Sequence, residues 1–177
     1  EGMRLIITNS RNHLEKLLTF LYNSNRRFIN IQIYQKSKGD IIMRLVTRSD
    51  FDGLACGALL KEVGLIDSWK FAHPKDLQDG LVEITENDVL ANVPFVEGCG
   101  LWFDHHSSEH ERNELAGKYK GESRITPSCA RIIYEYYGGQ ERFSHFDDMM
   151  AAVDKVDSGN LTIDEIQNPT GWILVGF

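Results

Sequence analysis

Gly100-Leu-Trp-Phe-Asp-His-His-Ser-Ser-Glu109 is the stretch on which the reading of the chain turns. A short apolar run, Leu101 to Phe103, stops abruptly at an acid and two imidazoles, Asp104-His105-His106, and no hydrophobic residue follows for several positions. A buried strand whose C-terminal end opens into a polar crevice has this form, and in open α/β sheets ligands sit at such strand ends. The arrangement recurs in Ile41-Ile-Met-Arg-Leu-Val-Thr47, which runs into Arg48-Ser-Asp-Phe-Asp-Gly53. Two strands that both end in carboxylates or imidazoles predict a metal cage.

The 177 residues suffice for one ordinary domain with a core, plus a small appendage. With 42% hydrophobic and 25% charged residues the composition is globular. The longest apolar runs fall far short of the ~20 residues of a membrane span, and the apolar start at Leu5–Ile7 is too short for a signal peptide. Three cysteines, Cys56, Cys99 and Cys129, are odd in number and form no C-x-x-C pair, so a reduced, cytoplasmic protein is expected. The net charge of −7 is uneven: residues 1–42 carry seven Lys/Arg against three acids, and residues 43–177 carry twelve against twenty-three. So acidic a body argues against binding long double-stranded nucleic acid, which needs many Lys/Arg contacts. It leaves room for a phosphorylated substrate, since a bound cation reverses the local sign.

Residues 1–42 predict an N-terminal extension, with a helix from Ser10 (Leu14, Leu17, Leu18, Leu21) and a strand over Phe28–Tyr34. From residue 43 the pattern alternates. Ile41–Thr47 predicts a strand, Leu54–Val63 a helix, Trp69–Ala72 a strand, and His73–Asn87 a polar loop. Asp88–Pro94 and Leu101–Phe103 predict two more strands, Pro127–Tyr137 a helix, and Phe143–Val153 the next helix. Strands alternating with helices predict an α/β fold with a mostly parallel, helix-flanked sheet. The apolar tail Trp172–Phe177 predicts a last strand or helix on the core, or a contact for an oligomer.

On an extended strand end, Asp50 and Asp52 would project to the same side. Two hard carboxylates suit Mg²⁺ or Mn²⁺, and added imidazole favours Mn²⁺. D-x-D-G alone is an ordinary turn and a lone His pair is commonly surface, but together at two strand ends, with Asp157-Ser-Gly159, they become specific. His105 and His106, being adjacent, are expected to face different ways, one toward metal and one toward substrate.

Asp50-Phe-Asp-Gly53 followed by Asp104-His105-His106 resembles the DHH phosphoesterase superfamily, over roughly residues 43–160. The wording of both motifs is closest to its exopolyphosphatase-like branch. The resemblance implies a Rossmann-like parallel sheet, Mn²⁺ ions, and hydrolysis by a metal-activated water of a phosphoanhydride or phosphodiester in polyphosphate, pyrophosphate or a short oligonucleotide. Carried over by position, it implies metal ligation by Asp50, Asp52, Asp104, His105 and Asp157, with Asp154 the alternative to Asp157. His106 would donate to the substrate phosphate. The family's bridging acid falls on Asn92, with Asp88 the alternative. Its usual histidine ahead of the first aspartate is Arg48 here, which cannot ligate metal but would neutralise charge and pair with phosphate or with Asp50 or Asp52. Its usual C-terminal substrate-binding domain is expected to be absent or truncated. Arg48 and Asn92 also raise a second expectation, a non-catalytic phosphate- or nucleotide-binding module with a degenerate metal site. Trp102 and Phe103 read as core, and Cys56 and Cys129 as small buried helix positions.

Overall fold

Met43–Thr47 (β1) alternates its side chains across the sheet, and both directions are apolar: Leu45 and Val46 are 1% and 0% exposed. A strand buried on both faces belongs in the middle of a parallel sheet with cover on each side. The computed structural model, which describes residues 42–107 and 118–177, places it there. β1 pairs in parallel with Ile66–Phe71 (β2) on one side and with Asp88–Ala91 (β3) on the other. Leu101–Asp104 (β4) and Gly121–Ser123 (β5) extend the sheet, giving the order β2-β1-β3-β4-β5 with every strand parallel. The chain leaves β1 toward one edge and returns on its other side at β3. The C-terminal ends of β1 and β3 therefore flank the crevice where such sheets bind ligands.

One face carries Leu45, Val89, Ala91 and Phe103, covered by helices Phe51–Glu62 (α1), Cys129–Tyr136 (α3) and Asp147–Asp157 (α5). The other face carries Val46, Leu90 and Trp102, covered by Leu77, Val82, Val93 and the rings of Phe95 and Tyr119. Trp102 meets the cost of a buried indole N–H by donating to the Val93 carbonyl at 2.9 Å. Among the described residues, no helix is long and apolar enough to cross a membrane.

Several local expectations need correction. The stretch His73–Asn87 is not all loop: Pro74–Gln78 (α2) is helical, with proline at its start and the His73 imidazole accepting the Lys75 N–H. β5 arises in a segment with no apolar alternation; its three residues are fixed by pairing with β4, not by burial. Gln140–Phe143 (α4) and a 3₁₀ turn precede α5. After the capped helix Ile163–Gln167 (α6), the tail ends in a 3₁₀ turn, Ile173–Gly176. There Trp172 stacks on Phe51 (6.4 Å, 7° between planes), while Leu174 and Phe177 stay exposed. The helix and strand expected within residues 1–41 lie outside the described residues.

α1 begins where β1 ends because Asp50 caps it, its carboxylate accepting the Gly53 N–H at 2.8 Å. The turn is so tight that a Cβ on Gly53 would stand 2.1 Å from the Arg48 carbonyl oxygen and 2.8 Å from Thr47 Oγ1. Gly53→Ala should therefore cost about 1–3 kcal/mol, read as a lower urea midpoint. An unchanged midpoint would show that this turn has room to spare.

Candidate metal centre

Asp52 does not stand on an extended strand end, as expected, but in the first turn of α1, and this reverses its surroundings. The residue is 1% exposed, and its side chain lies over the start of α3. One oxygen accepts the Cys129 N–H at 2.9 Å and the other the Ala130 N–H at 2.8 Å. These N–H groups have no partner within their own helix, so a carboxylate here satisfies them and suits the positive end of the helix dipole. Ser128 caps the same helix, accepting the Arg131 N–H.

His105 follows β4 and turns its ring inward. Its Nδ1 is 3.1 Å from the Thr126 carbonyl, an acceptor only, so Nδ1 carries a proton and donates. The other nitrogen, Nε2, then faces Asp157 Oδ2 at 3.1 Å and Asp52 Oδ2 at 3.8 Å. With Nδ1 donating, Nε2 and one oxygen from each of the two carboxylates converge on one point. Such a group needs a cation, either a proton or a metal ion. A backbone carbonyl that holds the distal nitrogen of a ligating histidine is how metal sites commonly fix the ring. Asp52, His105 and Asp157 each bring a ligand atom within 4.8 Å of the others.

Of the remaining expected residues, Asp88 lies away from this trio and the others lie nearer to it. Asp154 is committed elsewhere: Arg131 reaches it at 2.6 and 2.9 Å and Ser128 at 2.6 Å, tying α5 to α3, whereas Asp157 at the end of α5 stands beside His105. Asp88 is at the far end of β3, paired with Arg44 at 2.6 Å. Asn92 is at the near end, with a left-handed backbone (φ 57°) that asparagine tolerates better than most residues. Its amide donates to Asp50 at 3.0 Å, and its buried Oδ1 has no hydrogen-bond partner. Arg48 pairs with the other oxygen of Asp50 at 3.1 Å. Asp50 is thus occupied by three donors and is not brought into the trio. Asp104, fully buried, faces His106: its oxygens lie 2.9 Å from Nδ1 and 3.2 Å from the backbone N–H, and the His106 ring remains 41% exposed. Contrary to expectation, the His105 and His106 rings do not turn opposite ways but lie edge to face with centres 4.4 Å apart; what differs is the partner, Asp157 for His105 and Asp104 for His106.

A second group, Asp52, Cys56 and Cys129, also lies close together. Burial holds the thiols in their protonated form, Cys129 up to about 11 and Cys56 well above its usual value. The Cys129 thiol donates to the Phe103 carbonyl at 3.2 Å, so these sulfurs are packing and support. Thr126, Ser128 and Arg131 were not singled out from sequence. The Ser128 cap was readable from Pro127-Ser128, but a backbone carbonyl that orients a ring leaves no trace in residue type.

No family model and no curated protein matches the chain. Among solved structures, the pGpG-specific phosphodiesterase PggH from Vibrio cholerae is 48% identical, with a TM-score of 0.65. The match covers 76% of this chain and 43% of that one. The chain belongs to the DHH phosphoesterase superfamily. The likeness does not single out the exopolyphosphatase-like branch to which the motif wording pointed. The chain spans less than half the length of that relative.

The trio's protons follow from its burial. Desolvation and the neighbouring Asp157 push Asp52 from 3.8 up to about 7, against the pull of the Ala130 and Cys129 N–H groups. Asp157 is raised by burial, and Asp50 adds to this while His105 opposes it. The hydrogen bond to Asp104 raises His106. All three bind a proton more tightly folded than unfolded, so each loses stability for the fold as pH rises. For Asp52 the penalty of a buried charge is absent below 3.8 and complete above about 7. In chelator, the melting temperature should fall from pH 5 to pH 8, and Mn²⁺ should restore it at the upper end. A flat or rising profile in chelator would contradict this reading of the trio.

Proposed function

We propose that the chain carries the metal centre of a hydrolase that cleaves the phosphodiester bond of short, 5′-phosphorylated oligonucleotides. The observation that supports this most is the convergence of Asp52, Asp157 and His105 Nε2 on one point. Two carboxylates and an imidazole suit Mn²⁺, with Mg²⁺ the weaker alternative. The relative's action on a linear dinucleotide favours a phosphodiester over polyphosphate or pyrophosphate.

When bound, the ion supplies an activated water and neutralises charge on the phosphoryl oxygens. The chain's own groups do the rest. Asp52 and Asp157 would hold the ion, with the Thr126 carbonyl keeping His105 Nε2 turned toward the same two carboxylates. His106, braced at Nδ1 by Asp104 and with a raised pKa, presents Nε2–H to a phosphoryl oxygen. Arg48, 43% exposed at the rim, offers a cation that never deprotonates and can exchange Asp50 for phosphate.

The donors around Asp50 favour one other reading, a binding module that keeps the fold and takes phosphate without hydrolysing it. Calorimetry with Mn²⁺ and the hydrolysis of pGpG by the full-length protein separate the two. Micromolar metal affinity with turnover supports the enzyme; no binding at millimolar Mn²⁺ and no turnover supports the module. His105→Ala should weaken Mn²⁺ binding by about 100-fold or more, since even groups that only orient metal ligands give 10–100-fold. Arg48→His, which releases Asp50, should tighten it by about tenfold, or about 1.4 kcal/mol. Unchanged or weaker binding in Arg48→His would mean that the guanidinium does not compete with metal for Asp50.

A further inference from the structure

Beside the metal centre, across the C-terminal ends of β1 and β2, lies a cavity of about 250 Å³. Arg48 and Asp50 form the wall it shares with the centre; Phe71, His73 and Asp76 form the far side. Nothing in the proposed hydrolysis uses these last three. Phe71 ends β2 with 43% of its surface exposed and has no ring partner among the described residues. His73 caps α2 through Nδ1, which accepts the Lys75 N–H at 3.1 Å, so the neutral ring carries its proton on Nε2. Asp76 makes no side-chain hydrogen bond or ion pair among the described residues, although its neighbour Asp79 is paired with Lys75. An aromatic face, an N–H donor and a carboxylate acceptor thus surround one cavity with their polar atoms unspent.

We propose that this cavity is a nucleobase subsite, that the base it takes is guanine, and that Asp76 is the residue that selects it. The inference rests on the hydrolase reading for its phosphate. A carboxylate is a double acceptor and matches adjacent donors. Guanine offers such a pair, N1–H and the 2-amino group, whereas adenine presents an unprotonated N1 that a carboxylate repels. His73 Nε2–H supplies a donor for O6, and Phe71 a face on which the ring stacks, a contact indifferent to base identity. The spacing fits a nucleotide. Neighbouring strands are about 4.8 Å apart, so a base over β2 lies one or two strand spacings from a phosphate held by Arg48 over β1. A polar group matched to the right base and left unpaired by the wrong one gives strong discrimination.

The test titrates GMP and AMP into full-length protein with Mn²⁺ present, and compares the hydrolysis of pGpG and pApA. The wild type should prefer guanine in both. Asp76→Asn should weaken GMP at least tenfold, leave AMP within twofold, and cut the pGpG-to-pApA ratio mainly through KM. Phe71→Ala should weaken both nucleotides alike. GMP affinity unchanged in Asp76→Asn, or GMP and AMP weakened equally by it, would overturn the subsite. GMP binding that depends on Asp76 in a protein hydrolysing neither dinucleotide would uphold the subsite and sink the hydrolase reading. Hydrolysis whose guanine preference ignores Asp76→Asn would do the reverse.

Discussion

A buried carboxylate at the start of a neighbouring helix organises this site. Asp52 is 1% exposed, yet it gives both oxygens to the first N–H groups of α3. Withdrawing a carboxylate from water costs several kcal/mol unless donors replace the lost hydration. Two backbone donors and the end of a helix dipole replace part of it. The balance is unfinished, as the rise of its pKa to about 7 indicates. The same contact ties α1 to α3, and the Ser128–Asp154–Arg131 cluster ties α3 to α5. Three helices and the end of β4 therefore fix where Asp52, His105 and Asp157 meet. The site is part of the fold's own fastening, which makes its geometry rigid before any ion arrives.

Around that rigid trio the chemistry is divided. Asp50 caps a helix, receives the Asn92 amide and pairs with Arg48, so its charge is already neutralised within the protein. Asp104 is likewise absorbed, holding His106. Of the acids at the two strand ends, only Asp52 shares the point on which His105 and Asp157 converge. A permanent guanidinium at the rim makes the local potential less negative, which weakens the pull on a metal ion and the repulsion of a phosphate.

Much of this was legible in the sequence because burial and polarity change sharply at strand ends. Leu101–Phe103 halting at Asp104 marked β4 and its crevice, and Val46-Thr47 running into Asp50 marked β1. Asp50, Arg48 and Asn92 were expected in one place, and they touch. What sequence could not show was direction. Two residues of spacing predict one face of a strand, but Asp50 ends the strand as a cap and the helix begins at once, so Asp52 turns inward beneath α3. Asp157 and Asp154 were indistinguishable by spacing, because which helical carboxylate meets Arg131 depends on how α5 packs. β5 was invisible, since three residues held by ladder hydrogen bonds need no hydrophobic pattern. The Thr126 carbonyl that sets the His105 tautomer belongs to the backbone and is silent in any reading of side chains.

The central claim is that Asp52, His105 Nε2 and Asp157 form a cation site, with the proton they share in chelator replaced by metal. Anomalous diffraction from a crystal soaked in Mn²⁺ tests it most directly. The structure predicts a strong peak within bonding distance of all three, with the Thr126 carbonyl still on His105 Nδ1. A difference map with no peak there, and His105 Nε2 still resting on Asp157 at saturating Mn²⁺, would contradict it.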